Sequence, residues 1–225
     1  MAVLRVLWLL AVAYFLGAIP FGYIIAKMTR NVDVRQIESG RTGGTNTLRA
    51  AGFWAGLATA TLDILKGATT VWLAKFVFPD LHWVHVLAPI AAIIGHNYSL
   101  ILAERDPEGK VRLYGGAGGA PAAGGALGLW APSLLYILAI GVVLFFVVGY
   151  ASVTTMSVPL IAGAVFAYQA AQGNLPWVYV AYAVLAEALL LWALRPNIRR
   201  LLNGTERVVG LRAWYAKRRA AQSKS

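Results

Sequence analysis

Ser133-Leu134-Leu135-Tyr136-Ile137-Leu138-Ala139-Ile140-Gly141-Val142-Val143-Leu144-Phe145-Phe146-Val147-Val148-Gly149-Tyr150 contains no charged side chain over eighteen residues. A bilayer core about 30 Å thick is crossed by a helix of about 20 apolar residues, so this run reads as a transmembrane segment. It lacks the polar–apolar alternation of a barrel strand, and in lipid a helix satisfies its own backbone. Working outward, comparable segments fall at roughly 4–28, 52–75, 84–103, 118–131, 157–172 and 177–194. The segment at 118–131 is short and glycine-rich. The first runs through Gly17, Pro20 and Ile25, too long for a signal-peptide apolar region, and reads as a first membrane helix. The expectation is an all-α, polytopic bundle of about seven transmembrane helices.

Composition agrees. Of 225 residues, 59% are hydrophobic and only 13% charged, far more apolar than an ordinary soluble domain. The net charge of +11 does not point to nucleic acid, because nine of the twenty Lys and Arg lie at or after Arg195 and most others sit between apolar runs. That distribution matches positive-inside bias and attraction to anionic lipid. With no cysteine, thiol catalysis, disulfides and cysteine-ligated metals are excluded.

Loop charges set the expected orientation. Arg30, Arg35, Arg41 and Arg49 fall in one loop, Arg105, Lys110 and Arg112 in another, and the C-terminal tail is strongly basic. The alternate loops near 76–83, 131–132 and 173–176 are almost free of basic residues. The N-terminus is therefore expected outside and the C-terminus inside, with Arg5 and Lys75 as mild dissenters. Small residues, as in Ala55-Gly56, Gly124-Gly125 and Ala162-Gly163-Ala164, permit close helix contact. Residues 1–212 are expected to form one transmembrane domain, followed by a basic cytoplasmic tail at 213–225 that either lies on the membrane or lacks structure.

The most informative polar stretch is Glu38-Ser39-Gly40-Arg41-Thr42-Gly43-Gly44-Thr45-Asn46-Thr47-Leu48-Arg49. Its glycines let the chain turn closely so that N–H groups converge on an anion. Ser39, Thr42, Thr45 and Asn46 add neutral donors and acceptors, and Arg41 and Arg49 add forked donors suited to phosphate. The spacing matches neither a P-loop nor a dinucleotide fingerprint, and composition alone fits a flexible polar loop equally well.

Asp63 and Lys66, three residues apart inside an apolar segment, share a helical face as either a structural ion pair or part of a site. Glu187 has no local partner, and both a functional acid and a protonated acid packed between helices fit it. His96, beside Asn97 and Tyr98, fits a base, a phosphate donor or an interfacial residue. His82 and His85 have helical ligand spacing, but only Asp80 lies near them, so a metal site is not expected.

Together these motifs resemble the acyl-phosphate-dependent glycerol-3-phosphate acyltransferases, small bacterial membrane enzymes. The resemblance rests on Gly17-Ala18-Ile19-Pro20, Asp33-Val34-Arg35, the glycine loop against the family pattern GSGNxGATNxxR, and Asp63-Ile64-Leu65-Lys66-Gly67. Gly95-His96 and the stretch Asn197-Ile198-Arg199-Arg200-Leu201-Leu202-Asn203-Gly204-Thr205-Glu206 extend it to the C-terminal end. It implies a seven-helix inner-membrane bundle with its motifs on the cytoplasmic side. Acyl phosphate would acylate glycerol 3-phosphate to give 1-acylglycerol 3-phosphate for phospholipid synthesis, in one ternary complex without acyl-enzyme, cofactor or metal. By position, Ser39, Arg49 and Asn197 match catalytic and acceptor-positioning residues, and Gly40 through Asn46 match the phosphate cradle. Asp63, Lys66, His96, Gly115, Gly116 and Glu206 match supporting positions.

The chain departs from the family at defined places. Gly115-Gly116-Ala117-Gly118 stands where the family has GGKG, so Ala117 replaces a phosphate-contacting lysine. Leu194-Arg195-Pro196-Asn197 stands for His-Arg-Glu-Asn, Arg41 for an asparagine and Gly44 for an alanine. Two outcomes follow. Either Arg41, Lys110 or Arg112 compensates and the chain is an acyltransferase, or it is an impaired paralogue that binds lipid phosphate as a regulatory membrane partner.

Overall fold

The computed structural model describes residues 1–222, and the last three residues of the expected tail lie outside that range. Its helices are α1 (Ala2–Ala18), α2 (Phe21–Arg30), α3 (Gly44–Ala51), α4 (Phe53–Val77) and α5 (His82–Asn97). A hairpin of β1 (Ser99–Arg105) and β2 (Val111–Tyr114) follows. Then come α6 (Gly119–Leu129), α7 (Ser133–Val143) continued by a π-helical turn at Leu144–Val148, α8 (Ala151–Ala171), α9 (Val178–Leu202) and α10 (Gly210–Gln222). Among the described residues three helical stretches are both long and apolar enough to cross a membrane: Ala2–Arg30, Ala151–Ala171 and Val178–Leu202.

The bundle is expectedly helical, with four local corrections. The first apolar stretch is broken in two, because Pro20 has no N–H to continue the ladder and disfavours helix at Ile19. The freed carbonyls find other donors: Lys66 Nζ donates to Ile19 O at 2.9 Å and Ser99 Oγ to Ala18 O at 2.7 Å. The helix expected through residue 103 ends at Asn97, and 99–114 is an antiparallel hairpin, so the fold is not purely α. Asp106 turns its tip by accepting from the N–H groups of Glu108 and Lys110, with Gly109 at φ +81°. The glycine stretch is only partly a loop, since Gly44, Thr45 and Asn46 begin α3. Finally, a boundary at 212/213 falls inside α10.

Two apolar clusters hold the bundle. The larger joins α4, α5, α6, α8 and α9 through Val71, Ile93, Ala126, Phe166, Tyr182 and Leu190, and the smaller joins α1, α4 and α5 through Leu9, Ala13, Ala74 and Val84. Trp8, Phe15, Trp54, Phe76, Leu135 and Trp192 remain exposed, the inside-out pattern of a chain solvated by lipid. Close approach depends on glycine. A Cβ at Gly124 would strike Ile64 O of α4, one at Gly67 would strike Pro121 O of α6, and one at Gly95 would strike Tyr14 O of α1.

Outside the helices, Arg35 anchors the chain before the glycine stretch. Its guanidinium pairs with Asp33 at 2.7 Å and with Glu104 of β1, lying 5.0 Å from each of the Tyr23 and Tyr114 ring centres. The hydrogen bond from Arg35 holds the Asp33 carboxyl below its ordinary pKa of 3.8.

Gly124→Ala is expected to cost about 1–3 kcal/mol through overpacking and to lower the thermal midpoint in detergent. Gly141→Ala, whose Cβ meets only Thr154 Cγ2 at 3.8 Å, leaves the midpoint essentially unchanged. A depressed carboxyl pKa contributes stability above the unfolded value and loses it as pH falls through the folded one. The melting-point gap between wild type and Asp33→Asn should therefore be present at pH 7 and close as pH drops below about 4.

Candidate active site

The polar face of the bundle assembles around a buried cation. Lys66 Nζ lies 2.7 Å from Asp63 Oδ1, 2.9 Å from His96 Nδ1 and 2.9 Å from Ile19 O. These partners come from α4, α5 and the break after α1, so one ammonium fixes three elements. With Lys66 as an ammonium, the contact makes Nδ1 the acceptor and assigns the proton of a neutral His96 to Nε2. That nitrogen faces Gly116, where a Cβ would overlap the ring, and Gly116 N donates to His96 O at 2.9 Å. Gly116 is therefore required by the imidazole.

Asn46 shapes the glycine stretch. Its Nδ2 donates to the carbonyls of Val34, Ile37 and Arg41 at 3.0, 2.9 and 2.9 Å, wrapping the chain around one carboxamide. Thr42 is buried and its N–H donates to Gly115 O, joining the loop to the segment before α6. Gly40, at φ +68°, turns the chain at a position that favours glycine. The result presents the start of α3 to a cavity of about 180 Å³; Gly43 O accepts from Asn46 N and Thr47 N, leaving the N–H groups of Gly44 and Thr45 without a backbone acceptor among the described residues.

Ser39, Arg41, Gly43, Gly44, Thr45, Asn46, Arg49, Asp63, His96, Asn197 and Glu206 all line this cavity. Gly40, Thr42, Gly115, Gly116 and Lys66 stand behind it as supports, outside its wall. Ala117 and Leu194 also face it. Glu206 is the C-terminal organiser: its carboxylate accepts from Asn197 Nδ2 at 2.9 Å, Ser152 Oγ at 3.2 Å and Arg200 Nε at 3.0 Å. Asn197 Oδ1 is left buried with no partner among the described residues.

Arg41 crosses the site. Its guanidinium donates to Gly116 O at 3.1 Å and to Ala193 O, the carbonyls beside Ala117 and Leu194. Pro196 interrupts the α9 hydrogen-bond ladder in the same turn as Ala193. Burial, reinforced by the charge of Arg200, holds the Arg41 pKa below the ordinary arginine value, although a guanidinium remains charged at neutral pH. Among the described residues no carboxylate lies within ion-pair distance of Arg41 or Arg49, whereas Arg200 and Arg207 are paired with Glu206 and Glu38. Two unpaired guanidiniums at one cavity suit an anion.

Several sequence expectations do not meet at this cavity. Lys110 is held at the exposed hairpin tip, paired with Glu108 at 2.8 Å, and Arg112 lies over the Tyr114 ring outside the cavity wall. Lys110 does not return to the glycine loop, whereas Arg112 lines a separate cavity together with Ser39, Gly40 and Arg41 of that loop. Glu187 lies on α9 away from the cavity, with Oε2 buried and unpartnered among the described residues. His85 is held structurally by Tyr179 OH at 3.2 Å and Phe78 O at 2.8 Å. Conversely, Ser152, Thr155, Arg200 and Arg207 line the cavity without having been singled out. Proximity to Glu206 in the C-terminal motif was the available signal for Arg200 and Arg207, while Ser152 and Thr155 had none.

A second space adjoins the first. Gly44, Thr45, Arg49, Ala60, Glu206 and Arg207 line both the polar cavity and a groove of about 970 Å³ whose other walls include Leu48, Phe53, Leu57, Phe145, Phe146 and Val209. The polar cavity and the largely apolar groove thus share one wall.

Residues 7–204 match the family model described as glycerol-3-phosphate acyltransferase. Glycerol-3-phosphate acyltransferase 2 of Moorella thermoacetica is 34% identical over 209 residues, covering 92% of this chain and all of that protein. The glycerol-3-phosphate acyltransferase of Thermus thermophilus is 35% identical over 206 residues, covering 92% and 96%. The crystal structure of PlsY (YgiH), an integral membrane glycerol 3-phosphate acyltransferase, in its glycerol 3-phosphate form, superposes with a TM-score of 0.77 at 31% identity, covering 92% of this chain and 96% of that one. Its lysophosphatidic acid form gives 0.76 at 30% identity. With the buried Asp63–Lys66–His96 cluster, the glycine-lined cavity and the match across most of the chain, this membrane protein belongs to the glycerol-3-phosphate acyltransferase family.

Proposed function

We propose that the chain transfers a fatty acyl group from acyl phosphate to the first hydroxyl of glycerol 3-phosphate, forming 1-acylglycerol 3-phosphate. The observation that carries this reading is the junction of the Arg41–Arg49 cavity with the apolar groove. A substrate with a phosphate at one end and a long acyl chain at the other fits such a junction, as does the acylated product.

The chemistry asks little of the protein beyond alignment and charge stabilisation, because phosphate is already a good leaving group. The glycerol hydroxyl oxygen attacks the acyl carbonyl carbon, the new ester C–O bond forms, and the bond from carbon to phosphate oxygen breaks. The hydroxyl proton ends on a phosphate oxygen. Asn197 Oδ1, buried and without a partner among the described residues, is available to accept from an acceptor hydroxyl. The α3 N–H groups, Ser39, Arg41 and Arg49 face the anionic oxygens. His96, with Nδ1 occupied by Lys66, offers a donor through Nε2 rather than a base. This supports a route in which substrate phosphate takes the proton.

Seven crossings follow if α1 and α2 traverse together, with α4 through α9 as the remainder. The site residues then share the end rich in loop arginine, the cytoplasmic end of an inner-membrane protein with its N-terminus outside. The position of Arg41 beside Ala117 and Leu194 favours compensation for the lost lysine and histidine over an impaired paralogue.

Protein purified in detergent should release inorganic phosphate and form lysophosphatidate when given acyl phosphate and glycerol 3-phosphate together. Arg41→Asn should lower kcat/KM by about a hundredfold, the usual effect of deleting one preorganised donor, and should also lower the thermal midpoint because the carbonyls of Gly116 and Ala193 lose their donor. Introducing Ala117→Lys into that variant should recover part of the loss. Full activity in Arg41→Asn would sink the compensation, and substrate binding by wild type without product would establish the paralogue.

A further inference from the structure

The helix α10 lies beyond residues 7–204, which match the family model, yet it is tied to the site. Past Glu206, Arg207 pairs with Glu38 at 2.8 Å, Val208 bridges to Tyr150, and Val209 N donates to Gly149 O at 2.9 Å. Arg212 then lies 4.9 Å from the Tyr150 ring centre and donates to Val148 O at 3.4 Å. Glycine makes this docking possible. A Cβ at Gly149 (φ +72°) would collide with Arg212, and one at Gly210 (φ +58°) with the backbone of Phe145 and Phe146. Val208, Val209, Gly210 and Ala213 consequently form an outer wall of the apolar groove.

Beyond this attachment the principal packing partner of α10 among the described residues is the Leu144–Val148 turn. Leu211, Trp214 and Tyr215 are 49%, 50% and 57% exposed. The helix carries no acidic residue, and Arg218 lies 5.2 Å from the Trp214 ring centre. A free helix of thirteen residues is marginal in water, and one with exposed aromatics and only basic charge is complementary to an anionic lipid surface. Its attachment at the α7–α8 elbow, the end of two apolar helices, places that surface within reach.

We propose that α10 is an interfacial latch: it binds the anionic bilayer surface through its Trp214–Tyr215 and arginine side chains, and this contact holds the Val208–Ala213 wall against the groove. The lipid contact stands on the helix itself, whereas its effect on turnover rests on the groove being the acyl path proposed above.

Because the chain has no cysteine, Leu211→Cys accepts a single environment-sensitive fluorophore on the full-length protein. In vesicles of phosphatidylcholine with phosphatidylglycerol, its emission should shift to shorter wavelength relative to phosphatidylcholine alone. High salt, or Arg218→Gln with Arg219→Gln, should reverse the shift. Equal emission in the two vesicle types, or a shift indifferent to both salt and the double variant, overturns the latch. So does an equal shift in neutral vesicles on adding RNA, which would assign the face to a soluble polyanion. For turnover, the double variant should match wild type in detergent but lose the advantage that wild type gains in anionic vesicles. An equal response of both proteins overturns the hold on the groove wall. An emission shift with no product from wild type under any condition would defeat the acyltransferase reading while leaving the lipid contact standing.

Discussion

The buried ammonium of Lys66 is the constraint on which the polar end of this protein depends. A charge withdrawn from water inside a membrane bundle requires close partners, and here they come from different parts of the chain: Asp63, His96 and the carbonyl of Ile19. The last stands outside the helical ladder because Pro20 breaks the first helix, and it accepts from Phe21 N as well as from Lys66. The cation therefore joins the helix break to α4 and α5, and by occupying His96 Nδ1 it fixes which face of the imidazole turns toward Gly116. From there a hydrogen bond between Gly116 and His96 sets the chain entering α6.

Around that centre, much of the polarity serves shape. Asn46 directs its amide to three carbonyls and so curls the glycine stretch, while Glu206 gathers Asn197, Ser152 and Arg200 from two helices and the C-terminal segment. Among the described residues, what remains for a ligand is a small set: the N–H groups of Gly44 and Thr45, Ser39, the guanidiniums of Arg41 and Arg49, which have no carboxylate partner, and Asn197 Oδ1. Arg41 belongs to both groups. It braces the carbonyls of Gly116 and Ala193, and it brings positive charge beside two apolar side chains, Ala117 and Leu194.

Small residues explain how these groups stay in place. Gly67, Gly95 and Gly124 let helix backbones approach where any side chain would collide, and lipid offers no hydrophobic drive to compensate for poor contact. The same device recurs at Gly149 and Gly210, where it lets the chain beyond residue 204 settle over the α7–α8 elbow. An exposed, acid-free helix is thereby connected to the wall of the groove beside the site.

Composition and apolar run length were sufficient for the membrane bundle, because lipid solvation demands long uncharged helices whatever their neighbours. The glycine stretch, the Asp63–Lys66 spacing and the C-terminal motif likewise exposed most of the site as local patterns. The 99–114 hairpin was hidden, since Ser99-Leu100-Ile101-Leu102-Ala103 is as apolar as the helix before it and only pairing with β2 distinguishes the two. Roles were hidden too: Asn46 and Arg41 are both polar residues of one loop, yet one organises the backbone and the other crosses to α9. Sequence by itself determined which segments avoid water and which residue types gather at the candidate site. Only the tertiary structure decided which donors remain free, because a hydrogen bond to a carbonyl 152 positions away has no local signature.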